Sequence, residues 1–294
     1  MPLPEINNSF QPGEYKLLAR ALTVVENDLP GSSELLKSLK HTKTPIIGIT
    51  GPPGAGKSTL VNAMINHWSS KGKSIAVLAV DPTSPFNLGS LLGDRIRMAE
   101  QFTKKNVFIR SIATRGSLGG LSGKTIEMTD VLQSVGFDYI LVETVGVGQS
   151  EVEIAGLADV SIVVLVPESG DEIQNIKSGL MEIADIFVVN KSDRDGADTF
   201  ANNLKNLVHQ KSEIIPVVKT SANRAEGVID LINAIEAHPY STNSRKPFLL
   251  AEKAWKLIQN ARMKNIDKMK LQEDINSMSK NPEFNLYSFV ESLK

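Results

Sequence analysis

The chain has 294 residues, a formal net charge of −1 and no cysteine. A near-neutral chain has no bulk attraction to nucleic acid or anionic membranes, and a chain without thiols forms no disulfide scaffold, zinc finger, iron–sulfur cluster or cysteine nucleophile. With 41% hydrophobic and 22% charged residues, the composition is typical of a globular protein, long enough for one large α/β domain with extensions or for two small domains.

The beginning of the chain lacks the basic and apolar regions of a signal peptide, and no transit peptide is recognised. The longest apolar runs are far shorter than the roughly 18 residues of a membrane span. We therefore expect a cytoplasmic protein, or one of the mitochondrial matrix if the source is a eukaryote, with neither nucleic acid nor a membrane as partner.

The first elements in chain order are helical. Residues 14–27 place Leu17, Leu18, Ala21, Leu22 and Val25 at helical spacing, and a second short helix is predicted at 33–40 after Pro30-Gly31. Residues 1–44 are therefore predicted to form an N-terminal helical extension.

From Pro45 onward, short β-rich apolar runs alternate with helix-like stretches. This alternation predicts an α/β domain over residues 45–239, with a mostly parallel central sheet flanked by helices and ligands at the carboxyl ends of the strands. Strands are predicted at 46–50, 75–80, 107–112, 139–143, 161–166, 186–190 and 214–218, and helices at 57–68, 88–102, 124–135, 171–182, 198–209 and 227–236.

A phosphate-binding loop follows the first strand. The segment from Gly51 to Ser58 matches G-x-x-x-x-G-K-[ST] between a strand and a helix, which is the context that the P-loop NTPase fold requires. Glycines let successive N–H groups converge on a phosphate, and the helix N-terminus adds about half a positive charge. Lys57 is predicted to reach the β- and γ-phosphates, and Ser58 to bind Mg²⁺. The predicted phosphate-binding residues are Gly51, Pro52, Pro53, Gly54, Ala55, Gly56, Lys57, Ser58 and Thr59.

Three acids are candidate ligands of Mg²⁺, which prefers oxygen donors. Asp81 and Glu143 end predicted strands, and Asp94 lies in a Gly-Asp-Arg sequence; each also suits a cap or a turn. Gly146, three residues after Glu143, is predicted to lie where a backbone N–H senses the γ-phosphate. Val147 stands where Ras-like enzymes have a water-orienting Gln, so the sequence predicts slow hydrolysis that is helped by a partner.

Two further residues, Asp171 and Lys177, follow the fifth predicted strand and are candidates for movement on nucleotide exchange. A helix N-cap and a solvated helical lysine are the alternatives that the chemistry leaves open.

A base-recognition motif closes the sixth predicted strand. In Asn190-Lys191-Ser192-Asp193, the carboxylate suits the N1–H and N2–H donors of guanine, the stem of Lys191 suits a base face, and Asn190 is predicted to tie this loop to the phosphate loop. The segment Thr220-Ser221-Ala222-Asn223 follows the next strand, where a backbone N–H near Ala222 suits guanine O6. Together these motifs favour GTP and GDP over adenine nucleotides.

The last elements, residues 240–294, are predicted to begin with a linker and continue as a helical arm. Its apolar stripe includes Leu250, Ala254 and Leu257, and suits either packing on its own domain or the seam of a homodimer.

In chain order, GPPGAGKST, VDPTSPF…GDRIRM, RGSLGGLS, ETVGVGQSE, GDEIQNIK and NKSD resemble the methylmalonyl-CoA mutase-associated GTPases of the MeaB/ArgK type, in the SIMIBI class of P-loop GTPases. The resemblance implies a homodimeric GTPase chaperone whose C-terminal arms contribute to the dimer. It also implies that the chaperone gates cofactor delivery to an adenosylcobalamin-dependent acyl-CoA mutase, and protects or reactivates that mutase.

The resemblance assigns roles residue by residue. Lys57 and Ser58 match the phosphate and Mg²⁺ ligands, and the acids around Mg²⁺ match Asp81, Asp94 and Glu143. Asp171 and Lys177 fall in the segment that the family uses as a third switch. The chain departs from the family pattern at Glu168-Ser169 and at residues 86–89.

Other functions remain open at this point. A P-loop kinase of a transport protein or small molecule has no need of a guanine loop, and a passive nucleotide-dependent binding module would turn over negligibly. A nickel metallochaperone GTPase needs Cys or clustered His, whereas this chain has no Cys and four dispersed His.

Overall fold

The computed structural model describes residues 15–40, 42–81, 98–113, 123–144, 150–168, 180–208, 215–239, 246–263, 266–281 and 283–293. The chain divides into two compact units, Met1–Lys246 and Pro247–Lys294.

The chain begins with two helices, α1 (Lys16–Glu26) and α2 (Ser32–Ser38). Most of the apolar face of α1 predicted from the sequence is buried: Leu18, Ala21, Leu22 and Val25 are fully inaccessible, whereas Leu17, also predicted on that face, is 51% exposed. They belong to the same apolar cluster as residues of the central sheet, so α1 is part of the core of the first unit.

Seven strands form one sheet in the order β3-β2-β4-β1-β5-β6-β7, and every pairing is parallel. The predicted α/β class with a parallel sheet is therefore confirmed. The strands are β1 (Ile46–Thr50), β2 (Ile75–Asp81), β3 (Val107–Ala113), β4 (Tyr139–Glu143), β5 (Val160–Leu165), β6 (Ile186–Val189) and β7 (Val217–Lys219).

Helices cover both faces of this sheet, which is why its central strands are apolar throughout. On β1, Ile47 and Ile49 belong to one apolar cluster and Ile46 to another, as the alternation of a strand requires. The helices of the first unit after the N-terminal pair are α3 (Lys57–Ser70), α4 (Gly123–Gln133), α5 (Ser150–Leu157), α6 (Leu180–Ile183), α7 (Ala197–Val208) and α8 (Val228–Glu236).

Two predicted elements differ from the structure, one helix is not predicted, and residues 171–179 of the predicted helix 171–182 lie outside the described residues. Within the predicted helix 88–102, residues 98–102 are described, and a 3₁₀ helix covers Ala99–Thr103. The last strand begins at Val217 rather than at 214, because Pro216 has no N–H to donate to a ladder. The sequence does not predict helix α5, since its short apolar segment has no clear helical period.

The C-terminal part of the chain contains three helices in its described residues, α9 (Lys246–Met263), α10 (Lys268–Met278) and α11 (Leu286–Ser292). Asp267 caps α10 by accepting hydrogen bonds from the backbone of Met269 and Lys270. Asn285 caps α11 in the same way. None of the helices in the described part of the chain is long and apolar enough to cross a membrane.

The burial of α1 generates a stability prediction. Leu22→Ala removes a fully buried side chain and is expected to lower the free energy of unfolding by about 2–5 kcal/mol in urea denaturation. Leu17 lies on the same helix but is 51% exposed, so Leu17→Ala is the matched control and should change stability by less than about 0.5 kcal/mol. Equal effects of the two variants would contradict the packing of α1 in the core.

Candidate functional site

The predicted phosphate loop lies between β1 and α3, at the carboxyl edge of the sheet. At two of its glycines, a left-handed backbone angle coincides with a neighbour that leaves no room for a side chain. Gly51 has φ +137°, and a Cβ there would overlap the carbonyl oxygen of Val164. At Gly56, which has φ +86° and immediately precedes α3, a Cβ would overlap the side-chain amide of Asn190. The loop therefore leads directly into a helix N-terminus, whose free N–H groups favour anions.

Lys57 lies over the loop that precedes it. Its Nζ donates hydrogen bonds to the carbonyl oxygens of Gly51 (2.8 Å) and Pro52 (3.1 Å), and the residue is only 7% exposed. These contacts hold a positive charge at the mouth of the phosphate loop, where it adds to the electrostatic attraction of the helix N-terminus for phosphate.

A hydroxyl and a carboxylate meet beside the loop. The hydroxyl of Ser58 donates to Oε1 of Glu143 at 2.7 Å, and both residues are buried. Their proximity follows from the sheet order, because Glu143 ends β4 and pairs in register with Ile49 on β1. Hydroxyl and carboxylate oxygens are the donors that Mg²⁺ prefers, so this pair fits the predicted metal.

The structure describes only part of the other predicted acids. The backbone of Asp81 ends β2, which neighbours β4, so it reaches the same edge of the sheet as Glu143. Its side chain and the whole of Asp94 lie outside the described residues, as do Gly146, Asp171 and Lys177. The assignments of these residues stay predictions.

Asn190 connects three loops. Its side-chain Nδ2 donates to the carbonyl oxygen of Ala55 at 2.8 Å, in the phosphate loop. Its Oδ1 accepts from the hydroxyl of Thr220 at 3.0 Å and from the backbone N–H of Ala222 at 3.2 Å. Because Asn190 is only 2% exposed, these bonds form away from water, and the phosphate loop is tied directly to both predicted base-recognition segments.

The carboxylate of Asp193 faces the segment that follows β7. It accepts a hydrogen bond from the hydroxyl of Ser221 at 2.8 Å, and Arg224 lies 3.7 Å from its other oxygen. The Ser221 hydrogen bond holds the pKa of Asp193 below its ordinary value, and the positive charges of Arg224 and Arg194 act in the same direction. Asp193 is therefore an ionised acceptor at neutral pH, as the recognition of a donor pair requires.

Two neighbours complete this loop. Lys191 adopts a left-handed conformation with φ +56°, which turns the chain sharply between Asn190 and Asp193. Arg194 pairs with Glu168, and that hydrogen bond lowers the pKa of the Glu168 carboxyl. Both partners are half exposed, so the pair contributes little to stability.

Sequence reasoning includes Thr220 in a predicted segment but misses its contact with Asn190, and it misses Arg224 as part of the site. Thr220 begins the segment predicted to contact guanine, but its hydroxyl donates to Asn190. Its position directly after a strand is the available signal. Nothing in the spacing of Arg224 indicates that it lies near Asp193, 31 positions earlier along the chain.

The contact between Ser221 and Asp193 predicts a pKa difference. The hydroxyl stabilises the ionised carboxylate. Protonation of Asp193 therefore occurs at a lower pH than that of an ordinary aspartate, whose pKa is about 4. Ser221→Ala should therefore raise the pKa of Asp193, measured by NMR titration of its side-chain carboxyl. Asp198, whose pKa is lowered by a hydrogen bond from Lys219, serves as an internal control and should not shift. An unchanged Asp193 titration would contradict the assigned contact.

Comparison with known proteins gives the family. The model of the family described as methylmalonyl Co-A mutase-associated GTPase MeaB matches residues 18–273. A putative GTPase of Pyrococcus horikoshii is 47% identical over 246 residues, covering 81% of this chain and 78% of that protein. GTPase ArgK of Escherichia coli is 41% identical over 199 residues, covering 66% of this chain and 60% of that protein.

A mouse relative and a solved structure extend the comparison. The mouse protein named methylmalonic aciduria type A homolog, mitochondrial, is 37% identical over 244 residues, covering 74% of this chain and 59% of that protein. The crystal structure of a LAO/AO transport system kinase is 26% identical, covers 96% of this chain and 93% of its own, and superposes with a TM-score of 0.66. The chain belongs to the MeaB family of methylmalonyl-CoA mutase-associated GTPases.

Proposed function

We propose that this GTPase is a chaperone for an adenosylcobalamin-dependent acyl-CoA mutase of the methylmalonyl-CoA mutase type. It gates delivery of the cofactor to the mutase and protects or reactivates the mutase. It does so by cycling between the GTP-bound and GDP-bound states. The observation that carries the guanine-nucleotide part of the proposal is the buried side chain of Asn190, which joins the phosphate loop to the base-recognition segments. The match to the mutase-associated family supports the choice of partner.

Binding of the phosphates uses the loop that precedes α3. Its backbone N–H groups and the ammonium of Lys57 attract the negative charge of the β- and γ-phosphates. Ser58 and Glu143 would hold Mg²⁺, with Asp81 and Asp94 as the further acids of the site. When bound there, Mg²⁺ would neutralise the charge that develops on the phosphate oxygens.

Hydrolysis in this proposal depends on a segment beyond β4. Gly146 would sense the γ-phosphate through its backbone N–H, while Lys57 stabilises negative charge in the transition state. Since Val147 carries no group that orients water, the proposed intrinsic rate is low and a partner raises it. Asp171 and Lys177 would carry the nucleotide state to that partner.

A homodimer is also part of the proposal, with residues 240–294 as the arm that forms it. The C-terminal helices present several large apolar side chains to solvent in the isolated chain, and apolar surface of this kind is common where proteins associate. They include Leu250, Trp255, Leu257, Ile258 and Met263.

Guanine specificity generates the first functional prediction. Asp193 is expected to accept hydrogen bonds from guanine N1–H and N2–H, so the wild type should bind GDP and GTP much more tightly than ADP and ATP. Asp193→Asn places an amide donor where xanthine presents a carbonyl oxygen, and should shift preference to xanthine nucleotides by about tenfold or more. Competition binding with labelled GDP measures this shift.

Asp195→Asn is the matched control, because Asp195 is an exposed acid of the same loop. It should leave nucleotide preference unchanged. Retention of full guanine preference by Asp193→Asn would refute the assignment of Asp193.

The partner is tested by the GTPase rate. Addition of a purified adenosylcobalamin-dependent mutase is expected to raise steady-state phosphate release from GTP above the rate of the isolated protein. The Lys57→Ala variant should remain inactive with the mutase present, which excludes contaminating phosphatase. An unchanged wild-type rate over a range of mutase concentrations would contradict the chaperone proposal.

A second candidate function has one observation in its favour, since the structural relative with a TM-score of 0.66 is named a transport system kinase. A kinase would transfer the γ-phosphate to a protein or a small molecule instead of water. With γ-labelled GTP, free inorganic phosphate as the labelled product supports hydrolysis, whereas label on an acceptor supports the kinase.

A further inference from the structure

Two buried threonines lie where two functional segments leave the sheet. Thr50 is the last residue of β1 and directly precedes the phosphate loop. Thr144 directly follows β4, whose last residue is Glu143. Because β1 and β4 are parallel neighbours with Ile49 opposite Glu143, the two threonines lie side by side at the carboxyl edge.

Thr144 is attached to β1 through both its backbone and its side chain. Its backbone N–H donates to the carbonyl oxygen of Ile49 at 3.0 Å. Its hydroxyl donates to the hydroxyl of Thr50 at 2.9 Å, with the Ile49 carbonyl oxygen 3.5 Å away. Thr50 is fully buried and Thr144 is 1% exposed, so water does not substitute for this hydrogen bond when it is lost.

Packing alone does not require the two hydroxyls. Residues 46, 47 and 49 of β1 are isoleucine, and valine is β-branched like threonine, so an apolar side chain would fill the same space. A buried hydrogen bond between two hydroxyls costs desolvation but restricts orientation, because it forms only over a narrow range of distances and angles. Its effect is therefore to specify a geometry rather than to add much stability.

That geometry matters because each threonine leads into a segment that is proposed to handle phosphate. Gly51 opens the phosphate loop, while Gly146 is two residues beyond Thr144 and is thus within about 7 Å of it along the chain. We infer that Thr144 is a positioning residue for GTP hydrolysis: through Thr50, its hydroxyl fixes the start of the segment that senses the γ-phosphate against the loop that binds the phosphates. The inference rests on the proposed role of that segment in hydrolysis.

Because of its position, the hydrogen bond between Thr50 and Thr144 is expected to affect GTP hydrolysis but not GDP affinity. GDP has no γ-phosphate, so its affinity depends on the phosphate loop, Lys57 and the base-recognition segments, none of which the Thr144 hydroxyl contacts. Loss of the hydroxyl should thus slow the chemical step while leaving the affinity for GDP nearly unchanged. A merely structural hydroxyl would lower thermal stability without this difference.

The experiment compares Thr144→Val, Thr50→Val, the double variant and Thr144→Ser in single-turnover GTP hydrolysis, GDP binding and thermal unfolding. Loss of one buried hydrogen bond predicts a rate about tenfold lower in each valine variant, with GDP affinity within about twofold of wild type. The double variant should be no slower than either single variant, because both remove the same hydrogen bond. Thr144→Ser should restore the rate.

Thr129→Val is the matched control. Thr129 is fully buried in α4, and its hydroxyl donates to the carbonyl oxygen of Thr125 at 2.7 Å, so this variant also removes a buried hydroxyl. It should hydrolyse GTP at the wild-type rate.

The inference about Thr144 would be overturned if Thr144→Val hydrolysed GTP at the wild-type rate, or if it were slowed no more than Thr129→Val. Either result would leave the proposed function standing. If Thr144→Val does not fold, Thr50→Val tests the same hydrogen bond from the other strand. A wild-type protein that binds GDP but does not hydrolyse GTP would overturn the proposed hydrolysis and this inference together.

Discussion

The side-chain amide of Asn190 is the contact on which the arrangement of the site depends. One primary amide has two donors and an acceptor oxygen with two lone pairs, and Asn190 uses both ends. It donates to Ala55 in the phosphate loop and accepts from Thr220 and Ala222 after β7. Because these groups are buried, loss of the amide would leave several polar atoms without partners, so the three loops are held in a single arrangement.

The parallel sheet explains why such a contact is available. All seven strands run in one direction, so the segments after them emerge at one edge. With β1 between β4 and β5, the phosphate loop has the acid Glu143 on one side and the base-recognition strands on the other. The same order places the carboxylate of Glu143 beside the hydroxyl of Ser58 and the hydroxyl of Thr144 beside that of Thr50.

The N-terminal helices are part of the first compact unit, although the sequence pattern predicts them as an extension. The change in composition at Pro45 predicts residues 1–44 as an extension. In the structure, α1 contributes fully buried side chains to the same cluster as β2 and β4, and Glu26 pairs with Arg110 on β3. Packing therefore makes these helices part of the first compact unit, although the boundary in composition is real.

By itself, the sequence determined the features that depend on neighbouring residues: the strand β1, the glycine-rich loop, the helix after it and the apolar face of α1. These depend on local backbone preferences and on periods of two or 3.6 residues. It also predicted that Asn190 would reach the phosphate loop, because the segments that follow parallel strands emerge at the same edge of the sheet. Features with weak local signals, such as α5 and the late start of β7, were missed or misplaced.

Only the tertiary structure decided which side chains meet. Thr144 bonds to a residue 94 positions earlier, Glu143 accepts from a residue 85 positions earlier, and Asp193 accepts from a residue 28 positions later. Such pairs depend on strand order and register, which a periodic pattern does not contain. The physical reason is that side-chain hydrogen bonds require atoms within about 3 Å. Sequence motifs state which groups are present, and the packing of the parallel sheet brings them to that distance.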